Sequence, residues 1–184
     1  HWLTWSRAWV HQSAVDLRKS EESRFRDFEQ QGDLVIVDDM VLAFEEVADL
    51  VLALYQSGLL HKVGLDPMGV GAVIEAIADR GIPAGDVEGS MTVGIAQGVM
   101  LNGCIKDTEV KLANRTLVHA GQPLMAYAVG NAKAEPKGNA VTINKAISGA
   151  GKIDPLMALF ACVALMRRNP MPGVPVIEQG YVLL

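Results

Sequence analysis

Apolar residues recur three and four apart between Val41 and Gln56, at Leu42, Val47, Leu50, Val51 and Leu54. This spacing predicts an amphipathic helix. Asp38 and Asp39 precede it, as capping or first-turn acids do, and Gly58 closes it. A shorter helix is predicted over 69–80, with Val70, Val73, Ile74 and Ile77 turned inward and Gly81 as its stop. Another is predicted over 101–114, after a turn at Gln97-Gly98. The most apolar helix starts at Asp154-Pro155 and ends at Arg167-Arg168. Between the helices, Leu34–Val37, His61–Leu65, Met91–Ala96 and Leu117–His119 are short apolar runs that read as strands. The opening His1–Val10, built around Trp2, Trp5 and Trp9, reads as one more. Residues 13–30 are charged, with only Val15, Leu17, Phe25 and Phe28 as apolar points, and predict a surface helix stopped by Gly32. The segment 132–152 is rich in Gly, Lys, Asn and Ala without a strong period, which fits a long loop or a hairpin. Tyr181–Leu184 reads as a last short strand.

Alternation of strand and helix through the middle of the chain predicts an α/β fold with parallel pairing. No internal repeat and no linker composition interrupts it, so residues 1–184 read as one domain. With 184 residues, half of them apolar, the chain can bury a sizeable core. The longest apolar stretch, Pro155–Met166, falls short of the ~20 residues that a membrane span needs. The chain opens on His1 rather than Met and shows no secretory signal pattern, so its start reads as trimmed or cut. Cys104 and Cys162 stand in no metal-binding spacing. Cys162, inside the apolar helix, is expected to pack as a small hydrophobe, in keeping with a reducing cytosol.

The net charge of −5 hides an uneven distribution. Residues 1–103 carry 7 Lys/Arg against 16 Asp/Glu, and residues 104–152 carry 7 against 3. The basic part consists of Lys106, Lys111, Arg115, Lys133, Lys137, Lys145 and Lys152. Such asymmetry fits either an anionic partner or a solvated basic face.

Two acids stand where α/β sheets gather ligands. Asp66 follows a buried strand and Asp154 opens the apolar helix. Each precedes a proline, so helix capping competes with catalysis as the reason for the acid. Two carboxylates meeting at a sheet edge suit divalent ions. Other motifs fail. Ser148-Gly149-Ala150-Gly151-Lys152 resembles a phosphate loop, but Ala146 occupies the first glycine position and Ile153 follows the lysine. Gly69-Val70-Gly71 opens a helix, yet Ile74 stands in place of the third glycine of a dinucleotide fingerprint. His61 and His119 lack partners at metal spacing.

From about Trp9 onward, the order of short motifs resembles the nuclease domain of HK97-like terminase large subunits. Trp9-Val10 before a charged helix, the aromatic-to-glycine run Phe25–Gly32, and Gly64-Leu65-Asp66-Pro67 come first. Gln97-Gly98, Leu117-Val118-His119 and Asn131 follow, then Lys145, Ser148 and Lys152-Ile153-Asp154, and finally Glu178-Gln179-Gly180-Tyr181. Gln179 stands where that family often has arginine.

The resemblance implies an RNase H-like fold, a mixed sheet with helices on both faces, and Mg²⁺- or Mn²⁺-dependent hydrolysis of double-stranded DNA during genome packaging. It implies Asp66 and Asp154 as metal ligands and Lys145 as a group that positions the scissile phosphate. Lys133, Lys137, Lys145 and Lys152 would line the DNA path. It also implies, in the whole protein, an ATPase domain, a small terminase subunit and a portal as partners, in the cytoplasm of a bacterial host. The family's first acidic strand has no counterpart here, because Val15-Asp16-Leu17 lies in a charged helix; the domain reads as N-terminally truncated. Two alternatives remain open: another RNase H-like nuclease such as a junction resolvase, and a non-catalytic nucleotide-binding or docking module.

Overall fold

A computed structural model describes residues 1–145 and 151–171. Three strand pairs are parallel. β1 (Trp2–Thr4) lies beside β6 (Leu117–His119), β2 (Ala8–His11) beside β3 (Leu34–Val37), and β4 (Val63–Leu65) beside β5 (Thr92–Gly94). Parallel neighbours need crossover connections, which helices supply. α1 (Gln12–Asp16) and α2 (Glu22–Gln30) connect β2 to β3, and α4 (Gly71–Ala78) connects β4 to β5. α3 (Met40–Gln56), α5 (Asn102–Ala113), α6 (Pro123–Gly130) and α7 (Asp154–Met166) complete the helices. β7 (Ala132–Lys137) and β8 (Ala140–Lys145) form an antiparallel hairpin, so the Lys-rich segment is a hairpin rather than a loop over its first two-thirds. Its two-residue turn places Gly138 at φ +59, the left-handed backbone that such turns require.

The architecture is α/β as the pattern predicts, with one difference. Among the described residues the strands form four two-stranded sheets rather than one mixed sheet. The opening run shows the physical reason. It breaks into β1 and β2 because the side chain of Gln122 occupies the backbone of Ser6, accepting from its N–H and donating to its carbonyl. A strand edge bonded to a side-chain amide has no groups left there for a neighbouring strand. Gln122 also donates to Asp33 at 2.7 Å, which ties the start of β3 to the same point. The charged segment 13–30 likewise divides into α1 and α2, with Leu17 at the break and 86% exposed.

Three apolar clusters hold the molecule together. α7 supplies Leu156, Phe160, Ala161, Val163 and Leu165 to the first, against Ile95, Leu101, Cys104 and Ala128. The second joins α3 to α4 through Ala48, Val51, Ala76 and Ile77. Above it, the Arg80 guanidinium reaches Glu45 and Asp49, each at 2.7 Å. The third gathers Val15, Phe25, Phe28, Leu34 and Leu124 beneath β2 and β3. Cys162 corrects an expectation: it is exposed, while Cys104 is the buried thiol. α7 is apolar around most of its circumference, so periodicity does not single out which of its residues face water. No helix among the described residues is long and apolar enough to cross a membrane. The expected strand Tyr181–Leu184 lies outside the described residues, as do Ser148 and Glu178–Tyr181.

Candidate functional site

Asp66 stands just past β4 and is exposed. Its Oδ1 accepts from the Met68 N–H at 3.0 Å, a local turn that suits an Asp-Pro sequence. α4 starts only at Gly71, so Asp66 is not its cap. Asp154 is the first residue of α7, with Ile153 in the capping position, and no side-chain cap bond forms there. Capping therefore accounts for neither acid. The Asp154 carboxylate instead sits in the first turn, where unpaired N–H groups give the helix end a positive partial charge.

The elements carrying the two acids are packed together. A Cβ at Gly64 would stand 3.2 Å from the Leu165 side chain and 3.4 Å from the Ala161 carbonyl, so the absence of a side chain lets β4 lie directly on α7. Asp66 is two residues beyond that contact. Asp154 is seven residues before Ala161, roughly 10 Å along a helix rising 1.5 Å per residue. Asp154 lines a cavity of about 240 Å³, and Asp66 lines neither that one nor a larger one. Among the described residues, no three His, Cys, Asp or Glu side chains group as metal ligands. Asp66 and Asp154 are hard oxygen donors of the kind Mg²⁺ and Mn²⁺ take, but two such groups fall short of the usual ligand set.

The cavity at Asp154 brings together residues far apart in the chain. Val10 and His11 end β2, Arg18 follows α1, Tyr127 comes from α6, and Lys152 stands two residues before Asp154. His11 is fully engaged: Nδ1 accepts from the Ser13 N–H at 3.1 Å, and Nε2 is 2.7 Å from the Asp38 carbonyl. Those partners require the tautomer with its proton on Nε2. The Tyr127 hydroxyl donates to Glu21 at 2.5 Å, and Arg24 lies over the ring at 5.4 Å. Burial, reinforced by the Glu21 carboxylate, pushes the Tyr127 phenol up from its ordinary value. On the next turn, Asn131 donates to the Lys152 carbonyl at 3.3 Å. A Cβ at Gly151 would overlap the Asn131 amide, so glycine there lets the chain pass close to α6.

The basic residues divide into two groups. Lys145 ends β8 opposite Ala132, next in sequence to Asn131, which brings its backbone toward the segment of Lys152. Lys133 and Lys137 stand at alternate positions of β7, on one face of the hairpin, and both are exposed. Lys133 pairs with Glu135 at 3.4 Å, and Asn144 donates to the same carboxylate at 2.5 Å. That hydrogen bond, with help from Lys133, holds the Glu135 carboxyl below its usual range. Of the residues that line this cavity, sequence reasoning named Asp154 and Lys152 but not His11, Arg18 or Tyr127. Their neighbourhood depends on contacts more than 100 residues apart, such as Tyr127 to Glu21, and no local spacing reports these.

The larger cavity, about 480 Å³, lies between β1, β6, α6 and α7 and is lined by Trp5, Leu117, Met125, Leu156 and Leu159, with His119 at its polar side. The His119 Nδ1 accepts from the Gly121 N–H at 3.1 Å, a local turn contact.

Together these features define an α/β domain of parallel strand pairs in which β4 rests on α7, with a cavity of mixed charge at that helix's N-terminus. The same fold occurs in a solved structure described as the HK97 bacteriophage large terminase, with a TM-score of 0.65 and 15% sequence identity. The likeness covers 85% of this chain and 32% of the terminase chain. No family model matches the sequence, and no curated protein matches it.

Proposed function

We propose that this chain is the nuclease domain of a DNA-packaging terminase large subunit, RNase H-like in fold, which hydrolyses duplex DNA with Mg²⁺ or Mn²⁺. The observation that carries this reading is the fold shared with the terminase over 85% of the chain. The grouping of Asp154 with Lys152 in one cavity supports it. Lys133 and Lys137 on the hairpin face, with Lys145 and Lys152 near Asn131, would bind backbone phosphates and bring one to Asp154. Asp66 and Asp154 would supply two of the carboxylates that hold the ions. Bound ions would supply water activation and stabilisation of the leaving oxygen. In the whole protein, an ATPase domain, a small terminase subunit and a portal would be its partners, in the cytoplasm of a bacterial host.

The test is plasmid cleavage by the purified protein with Mn²⁺, compared with Asp66→Asn and Asp154→Asn variants. We expect slow cutting, because only two carboxylates are in place, and loss of cutting in both variants with duplex binding retained. Cutting that survives chelation, or that both variants keep, would overturn the reading. That Asp154 lines the smaller cavity and Asp66 lines neither favours a second reading, a nucleotide-binding or docking module without chemistry. Metal-independent duplex binding without any cutting would select it.

A further inference from the structure

We propose that Arg18 is a phosphate-binding residue of the Asp154 cavity, gripping the backbone of a bound duplex together with Lys152. The inference rests on the nuclease reading and adds a residue that neither the motifs nor the basic segment indicates. Arg18 belongs to the acidic half of the sequence and follows the short helix α1. The fold nevertheless places it in the lining of the same cavity as Lys152 and Asp154.

The charges around the cavity sort themselves. Arg24 lies over the Tyr127 ring beside Glu21, and Arg26 binds Glu29 and Gln12. The hydroxyl of Tyr127 is committed to Glu21, and the His11 ring to Ser13 and the Asp38 carbonyl. Arg18 and Lys152, by contrast, form no ion pair or side-chain hydrogen bond among the described residues, although Asp154 lines the same cavity. A guanidinium presents paired N–H donors in a plane that matches phosphate oxygens, and in a half-enclosed cavity it loses less to solvent screening than on an open surface. A volume of about 240 Å³ with apolar walls from Trp9, Val10 and Leu34 accommodates one phosphodiester and part of its sugar. Two cations facing one carboxylate leave a net positive charge, which suits a single anionic group.

The experiment measures binding of a short labelled duplex by fluorescence anisotropy across about 50–200 mM salt, in the absence of divalent ions. Arg18→Ala should weaken binding several-fold at low salt and make the dependence of log K on log salt shallower by about 1. Arg18→Lys should restore the slope, since charge sets it, while recovering only part of the affinity. A mere packing role would lower affinity, if at all, without changing the slope. If Lys152→Ala flattens the slope and Arg18→Ala does not, the Arg18 proposal fails and the nuclease reading stands. If the wild-type chain shows no salt-dependent duplex binding, both fail. Inorganic phosphate added at constant ionic strength should not displace the duplex; displacement from the wild type but not from Arg18→Ala would overturn the duplex assignment in favour of a free-phosphate site.

Discussion

Asn131 donates its side-chain amide to the main-chain carbonyl of Lys152, 21 residues further along. This bond helps hold the segment that delivers both Lys152 and Asp154 to their cavity. Asn131→Asp is nearly isosteric but its carboxylate cannot donate, so it should loosen the segment as Asn131→Ala does, at a stability cost of about 1 kcal/mol. Hydrogen exchange at residues 152–154 should rise in both variants while α3 and α4 exchange as in the wild type. Unchanged exchange would mean that the carbonyl is held by something else.

Gly151→Ala tests the same junction from the other side. A methyl group there overlaps the Asn131 amide, so one of the two must move. Duplex affinity should drop to the level of Asn131→Ala, and the double variant should be no weaker than either single one, because residues sharing one contact do not act additively. Fully additive losses would show two independent effects.

Tyr127 gives a pH signature. Its phenol is raised in the folded state, so the proton is held more tightly there than in the unfolded chain. The stabilisation is complete below the unfolded value of about 10 and is lost as pH rises through the raised folded value. Tyr127→Phe lacks this proton. Its melting temperature should lie below that of the wild type near neutrality, and the gap should close in strongly alkaline buffer. A gap that stays constant across that range would place the cost in packing instead.

Gly64→Ala addresses the seat of β4 on α7. The added carbon meets the Ile95 and Leu165 side chains at 3.2 Å, closer than ordinary contact, and the Ala161 carbonyl at 3.4 Å. Overpacking of this kind costs roughly 1–3 kcal/mol, visible as a lower denaturation midpoint. Wild-type stability in this variant would mean that β4 and α7 can shift apart freely.

The hairpin offers a charge test. Removing Lys133, Lys137 and Lys145 together should flatten the salt dependence of duplex binding by about 3, one for each phosphate contact. Glu135→Gln should strengthen binding, since it frees Lys133 from its ion pair. An unchanged slope in the triple variant would remove the hairpin from the DNA path.

Elements with strong local patterns were legible in the sequence. α3 lies within a residue of its predicted bounds, and the runs Leu34–Val37 and Leu117–His119 are strands as read. The turn at Gly138-Asn139 was available as a hairpin signal, but the polar residues around it have no clear two-residue alternation. α6 escaped notice because it is apolar on most sides and opens on a proline, which sequence reading takes for a break as readily as for a first helical residue. The break between β1 and β2 depends on Gln122, a residue remote in sequence, and no reading of His1–Val10 alone contains it. The candidate site divides the same way. Asp66 and Asp154 announce themselves by the strand and helix beside them, whereas Arg18 enters the cavity only through the third apolar cluster, where Val15 and Leu124 meet.

The bond between Ser6 and Gln122 closes a span of 116 residues, and β1 finds its partner only at Leu117. At about 5–20 residues per second of synthesis, the first strand waits on the order of ten seconds before its neighbour exists. Throughout that interval Leu3 on β1 and Trp5 just beyond it, both exposed even in the finished fold, stand without β6 beside them. Contacts so distant in sequence slow folding, because loop closure must precede any gain from pairing. β1 therefore joins β6 late, and until it does the growing chain carries β1 without that neighbour.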